Sequence, residues 1–109
     1  MPTDALLNRF GPLQKELEAL LENPENAKQR FPDSYVMLPD ILGSLKQLQR
    51  SLSQRPIDIE RCRSHAGSFG RLVMEFVDLP DSEFGKELLW LASDIIRMGK
   101  GSSSDDVAQ

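Results

Sequence analysis

The sequence predicts an all-α fold: a small, mainly antiparallel four-helix bundle with a short extra helix in its first long connection. Three observations carry that prediction. Four segments space their apolar residues by alternating steps of three and four, proline-bearing stretches fall between those segments, and no segment shows strand-like alternation.

The first segment is Leu6, Phe10, Leu13, Leu17 and Leu20, with Gly11-Pro12 inside it. The apolar phase survives that pair, so a kink or short break near Gly11 is expected rather than two unrelated elements. Asn23-Pro24-Glu25 then combines an N-cap, a first-turn proline and a first-turn acid, opening a short helix through about Phe31. Pro32 and Pro39 bracket an irregular connection in which Tyr35, Val36 and Met37 are apolar enough to pack back on the core. The second main helix begins near Pro39-Asp40, carries Leu38, Ile41, Leu45, Leu48 and Leu52 on one face, and fades over Ser51 to Ser53.

Pro56 or Asp58 opens the third helix, whose apolar row is Ile59, Cys62, Ala66, Phe69, Val73 and Phe76. Asp78 to Ser82, with Pro80, separates it from the fourth, which bears Phe84, Leu88, Leu91, Ile95 and Met98. Short connections make helices two, three and four successive antiparallel neighbours, while the long connection from 21 to 38 lets helix one pack across them. Gly99 is expected to end the last helix. The resulting division is a single bundle domain over 1–98 and a disordered tail over 99–109, where GKGSSSDDVAQ lacks the apolar residues of a core.

At 109 residues the chain has room for one core. The formal charge of −4 argues against general nucleic-acid binding, and no apolar run reaches the ~18 to 20 residues of a membrane span. The opening MPTDALLNRF lacks the basic-then-apolar pattern of a secretory signal, and a lone cysteine suits a reducing compartment. Cytoplasmic residence is the expectation. The charge is unevenly spread. Residues 46–71 hold six basic and two acidic groups, while residues 1–45 hold four and seven and residues 72–98 hold two and six. The basic centre, with Lys46, Arg50, Arg55, Arg61, Arg63 and Arg71, suits attraction to the acidic neighbouring helices, or to phosphate or an acidic partner.

Chemistry-bearing residues concentrate in CRSHAGSFGRL, Cys62 to Leu72, which holds the sole cysteine, the sole histidine and two of the seven glycines. On the helical frame Cys62, Ala66 and Phe69 form the seam, while His65 falls with Leu72 on its shoulder and should be half-buried. Cys62-x-x-His65 offers only two ligands, too few for a metal without a second copy, and a nucleophilic cysteine needs an exposed thiolate that a seam position denies. Neither a metal nor a cofactor is expected. No Glu-x-x-His pair, glycine-rich phosphate loop or serine–histidine–acid set occurs, so no catalytic residue is assigned and an enzyme is not expected.

A helix-borne histidine flanked by Ala66, Gly67 and Ser68 resembles, in architecture alone, the histidine-containing phosphotransfer domains. Those domains typically place lysine and glycine three and four positions after the histidine, where this chain has Ser68 and Phe69. The alternative reading is therefore a phosphotransfer or phosphate-sensing bundle centred on His65, with Arg61 and Arg71 as anion contacts.

The leading expectation is a non-catalytic interaction module, an adaptor, regulator, inhibitor or subunit, that presents a helical apolar face to another protein or to itself as a homodimer. The fourth helix is apolar nearly all round, with Leu89 and Ile96 on one flank and Trp90 on the other. Trp90 suits an interface anchor or a cation–π partner. Each internal glycine costs roughly 1 kcal/mol against alanine. Close approach of another helix or aromatic ring at Gly70, and of a partner at Gly67, is the expected return. Trp90, Leu89, Gly67, Arg71 and Arg97 are thus the expected partner-binding residues.

Overall fold

The computed structural model describes the backbone of residues 3–103 and the side chains of residues 3–98. It is an all-helical bundle. The chain runs through α1 (Thr3–Leu7), α2 (Phe10–Glu22), α3 (Pro24–Arg30), a 3₁₀ turn (Ser34–Met37), α4 (Leu38–Ser53), α5 (Ile59–Val73) and α6 (Glu83–Ser103). Together α1 and α2 form the interrupted first helix, and α3 is the short extra one. Helix α2 packs on α4, α4 on α5 and α5 on α6, so α5 is flanked on both sides.

Apolar spacing decides what each helix buries. The rows on α1–α2 and α4 are buried throughout, as are Cys62, Ala66, Phe69 and Val73 of α5 and Phe84, Leu88, Leu91 and Ile95 of α6. Caps set the boundaries. Asn23 Oδ1 accepts the Asn26 amide (3.2 Å), Asp58 Oδ1 accepts the Arg61 amide (3.1 Å), and Ser82 Oγ accepts the Gly85 amide (2.9 Å). Each satisfies one of the amides that a helix start leaves without an internal partner.

Three boundaries differ from the sequence expectation. The break in the first helix falls at Asn8–Arg9, and α2 already includes Gly11 and Pro12. Proline is tolerated there because first-turn amides have no intrahelical acceptor to lose. Helix α5 stops at Val73, where the Glu75 amide turns back to the Leu72 carbonyl (3.3 Å), so Phe76 leaves the helical frame and stands 36% exposed. Helix α6 continues through Gly99 to Ser103. A glycine ends a helix most effectively by turning left-handed, and no described glycine has positive φ. The expected disorder of residues 104–109 lies outside the described residues.

Two contacts fix the approach to α6. Asp78 Oδ2 accepts the amides of Asp33 (2.8 Å) and Ser34 (3.2 Å), and its Oδ1 accepts the Ser34 hydroxyl. One carboxylate thus pins the α5–α6 connection to the start of the 3₁₀ turn. Leu79 follows and is fully buried, its carbonyl accepting the Ser82 hydroxyl at 2.6 Å. An ideal Cβ on Gly85 would lie 1.8 Å from that carbonyl oxygen, so residue 85 must be glycine if the connection is to close onto the first turn of α6.

Gly85→Ala is expected to destabilise the fold by about 3 kcal/mol, the range of severe overpacking, in urea unfolding. Gly43→Ala is the counterpart. Open space surrounds that position in α4, so the helix should gain about 0.5–1 kcal/mol.

Partial desolvation of Asp78 opposes its charge, yet hydrogen bonds from the Ser34 hydroxyl and the Asp33, Ser34 and Leu79 amides prevail and hold the carboxyl below its ordinary value. The sign follows from linkage. A lowered carboxyl contributes stability that is fully present above the unfolded value, about pH 4, and lost as pH falls through the folded value. Asp78→Asn should cost about 1–3 kcal/mol at neutral pH and flatten the loss of stability on acidification, measured by urea titrations across the acid range.

Candidate functional site

Helices α5 and α6 leave an uncovered furrow between them on the side away from the core. Gly67 and Gly70 form its floor on α5, Met74 closes one end, and Leu89, Ala92 and Ile96 supply the α6 wall. Its volume is about 290 Å³. Leu89 and Ile96 are half-buried and packed against the core on one side while lining the furrow on the other. Met74 is 63% exposed, and the turn beyond it displays Phe76 and Val77, the latter 72% exposed. Met74 thus lies both in the furrow and at the start of the turn on which Phe76 and Val77 are exposed.

The glycines behave differently from the expectation at Gly70. Beyond the helix's own nearby backbone and chain neighbours, no atom lies within 4 Å of a Cβ placed on Gly67 or Gly70. The Cβ position of Gly70 is thus unfilled by another helix or ring among the described residues, although Leu89, Ala92 and Ile96 of α6 line the same furrow.

Arg71 and Arg97 stand at the rim of the furrow. Arg97 pairs with Asp94, whose other oxygen takes the Arg9 guanidinium at 2.6 Å. The Arg9 hydrogen bond, opposed by desolvation and reinforced by Arg97, holds the Asp94 carboxyl below the usual carboxylate range. That triad also ties the α1–α2 corner to α6. Among the described residues Arg71 makes only a long contact to Ser68 Oγ (3.5 Å), so no carboxylate there neutralises its charge.

Of the five residues expected at a partner surface, Leu89, Gly67, Arg71 and Arg97 share this furrow. Trp90 does not. It is 57% exposed and faces the opposite flank of α6, beside a separate cleft of about 300 Å³ lined by Asn8, Arg9, Pro12, Leu13 and Glu87. Successive helical residues diverge by about 100°, which puts Leu89 and Trp90 on different sides. Among the described residues, the cation–π pairs are Lys28–Tyr35 and Arg30–Phe31, and Trp90 is in neither.

The residues grouped around His65 also divide. His65 is half-buried on the α4 side of α5, its Nδ1 2.9 Å from Ser51 Oγ, in a polar pocket that includes Arg61. Arg71 lies on the α6 side instead. Cys62 is fully buried, and burial first, then the nearby Asp58 charge, pushes its thiol upward. Among the described residues no group of three or more His, Cys, Asp or Glu is placed to hold a metal ion, and no helix is long and apolar enough to cross a membrane.

Sequence reasoning missed one contributor to the furrow. Met74 follows Gly67 by seven residues and Gly70 by four, so its place in the furrow was visible in the spacing. Arg50, expected among the basic residues suited to phosphate or an acidic partner, lines the His65 pocket from α4, a pairing that depends on the relative register of two helices.

The native Cys62 thiol is expected to resist alkylation at mildly alkaline pH and to react fully once urea exposes it. Comparable native and unfolded rates would contradict its burial. No family model, curated protein or solved structure matches the chain.

Proposed function

We propose that this chain is a non-catalytic interaction module whose α5/α6 furrow receives an amphipathic helix of a partner protein, apolar on the docking face and acidic along its flanks. The uncovered apolar furrow, lined at one end by exposed Met74, carries the reading. Helix-in-groove docking needs an elongated apolar floor that a backbone can approach closely, and the bare row of Gly67 and Gly70 provides one. Arg71 and Arg97 at the rim select an acidic partner and orient it.

A homodimer through the same furrow is less well supported. Two-fold pairing of one patch with itself brings four rim arginines to a single interface, with the Asp94 carboxylates already engaged. The single buried thiol agrees with residence in a reducing compartment such as the cytoplasm.

A photo-crosslinking amino acid at position 74 or at position 90, activated in the native cell, tests the assignment. Crosslinks from 74 should map to one segment with helical apolar spacing and net negative charge, and should disappear in Gly67→Leu, which fills the floor without meeting other atoms at its Cβ. Crosslinks from 90 alone, or from 74 to a second copy of this chain, would overturn it.

A further inference from the structure

We propose that the α4/α5 hairpin carries a second binding site, independent of the furrow, for a phosphate dianion held by Arg50, Arg61 and His65, with Ser51 orienting the imidazole. The pocket there measures about 230 Å³ and is lined by Gln47, Arg50, Ser51, Gln54, Arg61 and His65. Apart from Ser51, whose one hydroxyl engages His65, every one of these side chains offers an N–H donor, or does so in one tautomer, and no carboxylate lines the space. Two guanidinium groups on two different helices make the lining cationic.

Those guanidinium groups are uncommitted. The described ion pairs engage Arg9, Arg30, Arg63 and Arg97, and neither Arg50 nor Arg61 is in one. The acids closest to Arg61 in sequence do not pair with its guanidinium. Asp58 accepts the Arg61 amide at 3.1 Å, and Glu60 lies 4.0 Å from Arg63. Arg55 donates to the carbonyls of Leu52 (2.9 Å) and Gln54 (2.7 Å), covering the negative end of α4 that would otherwise repel an anion.

His65 is preoriented for the same ligand. Ser51, only 6% exposed, holds Nδ1 at 2.9 Å and so fixes the ring. When Ser51 Oγ donates to Nδ1, the ring proton resides on Nε2, which has no partner among the described residues and is free to donate. Two forked guanidinium groups with an imidazole N–H and side-chain amides match the several oxygens and double charge of a phosphate better than a monovalent carboxylate. The shared ligand chemistry is a phosphate dianion, either free or borne by a phosphorylated side chain.

Nuclear magnetic resonance titration of the full chain at constant ionic strength tests the site, with separate arms for inorganic phosphate, a short phosphoserine peptide and its unphosphorylated twin. Saturable shifts centred on Ser51, Arg61 and His65 are expected, with affinity falling roughly tenfold or more in Arg50→Ala and in Arg61→Ala, a loss of about 1.4 kcal/mol per decade. Both arginines are exposed, so the variants should fold, and an unchanged helical spectrum confirms it. Saturation by inorganic phosphate identifies a small-anion site. Saturation by the phosphopeptide alone identifies a phosphoprotein site. Shifts matched by chloride, unaffected by either variant, or absent at millimolar phosphate would overturn the proposal.

Discussion

The carbonyl of Leu79 occupies the space that a side chain at residue 85 would need, and this close approach sets how α6 leaves the α5–α6 connection. With Leu79 buried and the Ser82 cap engaged, the first turn of α6 is held against the end of α5. The Asp78 carboxylate anchors the same segment to the 3₁₀ turn on the other side. The furrow exists because these contacts fix α6 at one end while its Leu88, Leu91 and Ile95 row is drawn into the core, leaving Leu89 and Ile96 on the open flank.

Helix α5 is the shared element of both proposed sites. Its core seam begins with two small side chains, Cys62 and Ala66, which let neighbouring helices approach closely and keep both shoulders of α5 near the surface. One shoulder carries Gly67, Gly70 and Met74 toward α6, and the other carries Arg61 and His65 toward α4. The rare residues clustered between Cys62 and Leu72 thus serve opposite sides of one helix. Only the buried thiol belongs to neither.

Most of the helical architecture was legible because burial follows apolar period closely: the rows on the first two main helices are buried without exception. Features that depend on one backbone meeting another were not. Gly85 resembles an ordinary helical glycine until the Leu79 carbonyl is placed beside it, and Gly70 resembled a close-packing position although no atom of another element lies within 4 Å of its Cβ position. Phe76 kept the periodic spacing but fell beyond a helix that the Asp78 contact and its own closing turn end early. The candidate surface was half legible for a similar reason. Leu89, Gly67, Arg71 and Arg97 share one furrow, with Leu89 half-buried against the core, while separating Trp90 from them required knowing which flank of α6 meets α5.

The basic centre of the sequence separates into two kinds of arginine. Arg55 and Arg63 are structural: one covers the carbonyls that end α4, and the other reaches from α5 to the Ile96 carbonyl of α6 at 3.0 Å. Arg50, Arg61 and Arg71 make no ion pair among the described residues. The expected attraction to acidic neighbouring helices is not expressed as ion pairs of the central residues: the pair they make among the described residues, Arg63–Glu60 at 4.0 Å, lies within α5. An exposed cation costs little to leave in water, so the fold tolerates Arg50, Arg61 and Arg71. Their placement gives them consequence: Arg71 borders an apolar furrow, while Arg50 and Arg61 line a donor-rich pocket. The same charge thus supplements apolar burial on one side of α5 and dominates recognition on the other.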